Sequence, residues 1–167
     1  MSSKDKIFVF LLVPFLSLPI LVSLQEILGN SLKALWSVGI GLALLFVLLN
    51  GLFFRELYRF IVREHSKEEV YLELMFVFVT AFSNILLFAA ACYFFGVNSG
   101  GQVIFGDIAT SLYFSIVTWT TLGYGDISPV PEMRLIASIQ ALIGYTYMAI
   151  LIGLFLSVVN IKVIKQK

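Results

Sequence analysis

The segment VTWTTLGYGDISP, residues 117–129, sets two glycines, a tyrosine and an aspartate between long apolar runs. Its meaning depends on the solvent around it. Of the 167 residues, 60% are hydrophobic and 13% charged, and the mean hydropathy is +1.00. A water-soluble chain of this composition would expose large apolar patches. The charges are also segregated, with no Asp, Glu, Lys, Arg or His in 7–25, 34–54, 74–106 or 135–161. A helix needs about 20 apolar residues to cross the hydrocarbon core, and each gap supplies them. The chain is therefore read as a polytopic membrane protein, and 117–129 lies just ahead of its last crossing.

Four spanning helices are expected, at about 7–25, 34–54, 71–96 and 132–160. The first follows Lys4 and Lys6, as a secretory leader would. A leader's apolar core is usually ~7–15 residues and ends at a small-residue cleavage site. Here Gln25, Glu26, Ile27 and Leu28 follow instead, so an uncleaved helix kinked at Pro14 and Pro19 is expected. Cys92 stands alone in an apolar run and is read as packing. Asn50 and Asn84 interrupt apolar helices, and interhelical hydrogen bonding is their expected role.

Between the last two crossings, GVNSGGQVIFG (96–106) reads as a turn-rich linker. DIATSLYFSIVTWT (107–120) then has the length of a helix too short to cross, with Asp107 at its N-cap. Nine of the eleven Lys and Arg fall in three clusters, at Lys4 and Lys6, at Arg55, Arg59, Arg63 and Lys67, and at Lys162, Lys165 and Lys167. Four crossings put all three clusters on one side, the cytoplasmic side by the positive-inside rule. Both termini are then cytoplasmic, in a plasma (inner) membrane, and 107–131 dips into the membrane from outside and returns.

Irregular backbone at membrane depth must be buried in protein or line a water-filled path. A peptide whose successive carbonyls face one axis alternates between left- and right-handed backbone wells. Gly123 and Gly125 take the left-handed well without a Cβ clash. Thr121, Leu122, Gly123 and Tyr124 can then present stacked carbonyls, and rings of such oxygens replace the hydration shell of a cation.

TTLGYGD (120–126) resembles the selectivity filter of potassium channels, whose signature is Thr-Val-Gly-Tyr-Gly. YFS at 113–115 and SP at 128–129 are similar to the bacterial two-helix pore branch, and the resemblance covers roughly 71–160. It implies an all-α membrane fold of four transmembrane helices, with a re-entrant pore helix and selectivity filter between the third and fourth. It divides the chain into two N-terminal helices (1–54), a basic cytoplasmic linker helix (55–70) and a pore domain (71–167). The implied K+ filter is Thr121, Leu122, Gly123, Tyr124 and Gly125, supported by Tyr113, Trp119 and Asp126. Gly144 corresponds to the gating-hinge glycine of the family. The same resemblance implies a homotetramer, because one chain has one filter loop and four surround an ion.

Three positions depart from the family pattern. Leu122 replaces the commonest valine, and Val117 stands where some bacterial members carry a glutamate that clamps the aspartate after the filter. Tyr113 stands where many members have a tryptophan, so a Tyr113–Asp126 hydrogen bond is the expected substitute. The cavity below the filter is expected to be lined by Tyr145, Met148 and Ile152 of the last helix. The first two helices occupy the place of a voltage sensor without its arginines. Charge movement supplies ~2.3 kcal/mol per charge per 100 mV, so steep voltage dependence is not expected.

Two other functions compete with this one. GYGD (123–126) matches the Gly-x-Gly-Asp motif of intramembrane aspartyl proteases, but that chemistry needs a second nearby carboxylate. The remaining aspartates are Asp5 and Asp107, neither in the middle of a span. A non-conducting subunit that keeps the pore fold is the other alternative. No enzyme activity and no cofactor are expected, K+ being the permeant ion. His65, in a charged stretch, is read as solvated, and the net charge of +1 argues against nucleic acid. Arg55, Arg59, Arg63 and Lys67 recur every fourth residue, forming a basic stripe on a helix. Its first expected role is to fix topology at lipid headgroups; its second is to bind anionic lipid at Arg55, Arg59 and Arg63.

Overall fold

The computed structural model describes residues 32–62 and 67–164. The expected first span at 7–25 lies outside them, as do Arg63 and His65. Helix α1 runs Leu32–Val62 and α2 runs Lys67–Phe95. A hairpin follows, β1 (Val97–Ser99) and β2 (Gln102–Ile104), then α3 (Ile108–Trp119), β3 (Ile127–Pro129), a 3-10 turn (Pro131–Met133) and α4 (Arg134–Ile164). The fold is mostly helical. Three stretches are long and apolar enough to cross a membrane: Ile40–Arg59, Glu69–Phe95 and Pro131–Leu156. At 12 residues α3 is equally apolar but spans only about 18 Å of a core about 30 Å thick.

Helix α2 is the centre of the packing and touches α1, α3 and α4. The buried positions of α4, namely Ala137, Gln140, Gly144, Tyr147 and Leu154, follow one helical stripe at spacings of three, four or seven. Leu42, Leu49, Phe53 and Leu57 form the equivalent stripe on α1. Asn50 and Asn84 are polar residues inside this apolar interior, and they are paired. Asn50 donates to Asn84 Oδ1 at 2.8 Å across α1 and α2, the interhelical bond expected of these two residues.

Two features add to the sequence reading. The described residues of the basic stretch 55–70 belong to two long helices. Residues 55–62 continue α1 and 67–70 open α2. The buried stripe of α1 runs on through Phe53 and Leu57, so nothing stops the helix at residue 54. A small sheet of order β2-β1-β3, which the sequence reading did not include, accompanies the helices. Gly100 and Gly101 both take positive φ, 58° and 84°, at the tip of the β1–β2 hairpin. That is the backbone a tight two-residue hairpin requires. Strand β3 then pairs with β1, Ile127 opposite Ser99 and Pro129 opposite Val97, and ties the chain after 117–126 to the end of α2.

Gly96 makes this corner possible. It caps α2 at φ 81°, and its N–H donates to Cys92 O at 2.8 Å. A Cβ there would lie 2.8 Å from both the Phe105 ring and Val103 Cγ1.

Candidate functional site

The site is built around α3. Asp107 caps its N-terminus, accepting from the Ala109 N–H at 3.1 Å and from the Thr110 hydroxyl. The Thr110 hydroxyl above all, then the Ala109 and Thr110 N–H groups, hold the Asp107 carboxyl below the usual carboxylate range. Ser111, Phe114, Ser115, Val117 and Trp119 form the buried side of α3. Ser115 fixes the helix between its neighbours, donating to Ile85 O of α2 at 2.6 Å and accepting from Gln140 Nε2 of α4 at 3.1 Å.

The C-terminal end of α3 runs directly into the expected filter. Thr121 N donates to Thr118 O at 3.1 Å and Leu122 N to Val117 O at 3.0 Å. These are the paired bonds of a Schellman cap, which requires a left-handed residue at the position of Thr121. Thr121 has φ 58°, and it is the one non-glycine with positive φ among the described residues. A β-branched residue rarely adopts that well. Two backbone bonds and a Thr121 Oγ1 donation to Thr120 O at 2.7 Å hold it there. Sequence reasoning assigned the left-handed well only to the glycines and missed this third position.

Gly123 has φ 54° and Gly125 has φ 83°, whereas Leu122 and Tyr124 have negative φ. The sign of φ therefore alternates from 121 to 125, positive at 121, 123 and 125 and negative at 122 and 124. The outer end is braced to α3. Tyr113 donates to Asp126 Oδ2 at 2.7 Å, and Asp126 Oδ1 accepts from Ile127 N at 3.0 Å. The Tyr113 and Tyr124 rings lie parallel with centroids 6.5 Å apart. The two aspartates weighed for protease chemistry thus have separate partners, one at each end of the α3 unit. All residues from Thr120 to Asp126 are exposed in the single chain, including the apolar side chains of Leu122 and Tyr124.

The inner end of the segment rests on α4 at Gly144. A Cβ on Gly144 would lie 2.2 Å from the Trp119 carbonyl oxygen and 3.0 Å from its carbonyl carbon. The absent side chain lets the last carbonyl of α3 meet the bare Cα. Trp119 is buried, with its ring edge-on to Tyr147 at 5.2 Å. Tyr145, Met148 and Ile152 lie on the free side of α4, 71%, 52% and 62% exposed. Tyr147, which sequence reasoning did not single out, is buried at the contact of α1, α3 and α4.

Comparison with known proteins gives a consistent picture. A family model described as "Ion channel" matches residues 42–160. Potassium voltage-gated channel subfamily A member 5 of Rattus norvegicus is 29% identical over 96 residues, 57% of this chain and 15% of that protein. The Homo sapiens protein of the same name matches to the same extent. Potassium voltage-gated channel subfamily A member 10 of Homo sapiens is 29% identical over 96 residues, 18% of its length. The chain spans less than a fifth of the length of these relatives. No solved structure matches it.

Proposed function

The chain belongs to the ion channel family, and from that membership we propose that it is a potassium-selective channel through which K+ passes down its gradient. Four copies surround one pore. In each, α3 is the re-entrant pore helix, 121–125 is the filter, and α2 and α4 are the outer and inner helices. The expected span at 7–25 completes four crossings per chain.

One observation carries this reading: the alternation of φ from Thr121 to Gly125 directly after a helix too short to cross. In that alternation successive carbonyls turn to one side, and a ring of copies makes them stacked oxygen layers that take the place of water around a cation. The carbonyl end of α3 adds partial negative charge at the inner end, which favours a cation there. Exposure of Leu122 and Tyr124 in the single chain supports an assembly in which neighbouring copies cover them. The potassium in the relatives' names agrees with this filter. Their voltage gating is not carried over, since 34–54 of α1 holds no charge for the field to move.

The full chain in liposomes loaded with potassium is expected to dissipate a potassium gradient while leaving a sodium gradient in place. Equal dissipation of both would remove the claim of selectivity. No dissipation of either would leave the non-conducting subunit as the better account.

Anionic lipid is proposed as a partner at the end of α1. Arg55 and Arg59 both donate to Glu56 Oε1, at 3.3 and 3.0 Å, yet their side chains are 57% exposed. Glu56 gathers the two cations on one side of the helix, and Arg63 follows outside the described residues. A basic residue near an anionic surface contributes about 1 kcal/mol. Changing Arg55, Arg59 and Arg63 to Gln is expected to reduce at least threefold the response of open probability to added anionic lipid. An unchanged response would leave the stripe with topology alone.

A further inference from the structure

One buried side chain joins all four described helices. Tyr147 of α4 is 1% exposed and lies one turn beyond Gly144. Its ring stacks on Phe53 of α1 at 4.3 Å and 17°, and meets Trp119 of α3 edge-on at 5.2 Å and 65°. Its hydroxyl faces two amides. Asn84 Nδ2 of α2 donates to it at 3.4 Å, and it donates to Asn50 Oδ1 of α1 at 3.5 Å.

Those amides are not free to follow the tyrosine. Asn50 Nδ2 also donates to Phe46 O at 2.9 Å and to Asn84 Oδ1 at 2.8 Å, and Asn84 Nδ2 donates to Thr80 O at 2.9 Å. Each amide is therefore registered to its own helix. Polar groups buried in an apolar interior are costly when unpaired, so such a cluster holds one arrangement sharply. An α1 that served only as a lipid-facing anchor would pack on α2 through apolar contacts alone. Here it reaches across α2 to the inner helix with a hydrogen-bonding group and an aromatic face.

What lies on the far side of Tyr147 gives the contact its consequence. Trp119 is the last residue of α3, two positions before the left-handed Thr121 that opens the 121–125 segment. Its carbonyl is also the group pressed against Gly144. Displacing Tyr147 displaces the ring that holds Trp119, and with it the cap from which the segment starts.

We propose that α1 regulates conduction from within the chain: Asn50 and Phe53 position Tyr147, and Tyr147 positions Trp119 at the foot of the filter. The inference rests on reading 121–125 as a filter. Tyr147 is a positioning residue and touches no ion. The free energy available to shift the pore comes from any difference between two placements of α1 in these contacts. Movement of α1 in the membrane, whatever drives it, is thereby coupled to the filter without a charged sensor.

Single-channel recording of the full chain in bilayers of fixed lipid composition tests this with Tyr147→Phe, Asn50→Leu and the double variant. Tyr147→Phe removes one oxygen and keeps the ring, so its packing on Phe53 and Trp119 survives. Each single change is expected to alter open probability at least fivefold, in the same direction, with unitary potassium conductance and discrimination against sodium held within twofold. The double variant is expected to match the singles rather than their product, because both remove the same contact. Open probability within twofold of native in both singles, or effects that multiply, would overturn the proposal and leave the cluster a packing feature. If Asn50→Leu does not assemble, Phe53→Leu takes its place, removing the stack while keeping apolar volume; it is then judged as a single variant, on open probability, unitary conductance and sodium discrimination alone. If the native chain itself conducts no potassium, the filter reading and this inference both fall. Conducting native channels with unresponsive variants would sink the inference alone.

Discussion

Gly123→Ala is expected to lower potassium flux through reconstituted channels at least 100-fold while leaving the helical fold intact. The reason is conformation, not space. Nothing in the single chain lies within 4 Å of a Cβ built on Gly123, but its φ is 54°. An L-residue held in that left-handed well costs roughly 1–2 kcal/mol, and the proposed ring of four copies would carry the cost four times. The backbone is expected to relieve the strain by moving the residue out of that well, which turns a peptide unit and swings a carbonyl away from the proposed pore line. One whole oxygen layer of the proposed filter would then be lost. Thr121 tolerates the same well because the Schellman bonds to Thr118 O and Val117 O hold it. Gly123 lies beyond that cap. Circular dichroism and the elution position of the assembled protein should be unchanged while flux disappears. Near-native flux would show that residue 123 does not carry the alternation on which selectivity depends.

Gly144→Ala is expected to have the second largest effect, and by a different route. Its Cβ would sit 2.2 Å from the Trp119 oxygen and 3.0 Å from the carbonyl carbon, and both are backbone atoms that cannot rotate away. Helices α3 and α4 must separate, an overpacking that costs roughly 1–3 kcal/mol in each chain. Flux should fall at least tenfold and the melting temperature should drop, with Trp119 fluorescence shifted in a Trp36→Phe background. A hinge alone, the role the family resemblance implies for Gly144, would change opening without lowering the melting temperature. Gly153→Ala is the control. Gly153 lies on the same helix with nothing within 4 Å of its built Cβ, and a near-native melting temperature is expected.

Much of the architecture could be read from residue types because the membrane limits the choices. Charge-free runs separated by charged clusters located the three helices long and apolar enough to cross, those in α2 and α4 closely and that in α1 displaced from 34–54 to Ile40–Arg59. Asp107 followed by an apolar segment located α3 and its cap. Departures arose where a contact between distant residues decided the outcome. Thr121 adopts a backbone well that its side chain disfavours, and the bonds responsible come from the preceding turn of α3. Gly144 is required by a carbonyl 25 positions earlier, which no local pattern announces. The β1–β2 hairpin did have a local signal in the adjacent Gly100 and Gly101. The pairing of β3 with β1 joins residues on either side of the whole α3 unit and had none. Arg55 and Arg59 mark an interface in the sequence, and Phe53 and Leu57 carry the packed stripe of α1 past residue 54.

The central claim is that residues 121–125 form a filter which passes K+ and rejects Na+. Its most direct test is the reversal potential of the purified full chain in a planar bilayer, with potassium on one side and mixtures of potassium and sodium on the other. The account predicts a reversal potential that moves by about 59 mV for each tenfold change in the potassium ratio and ignores sodium. A reversal potential that stays near zero when sodium replaces potassium would contradict it.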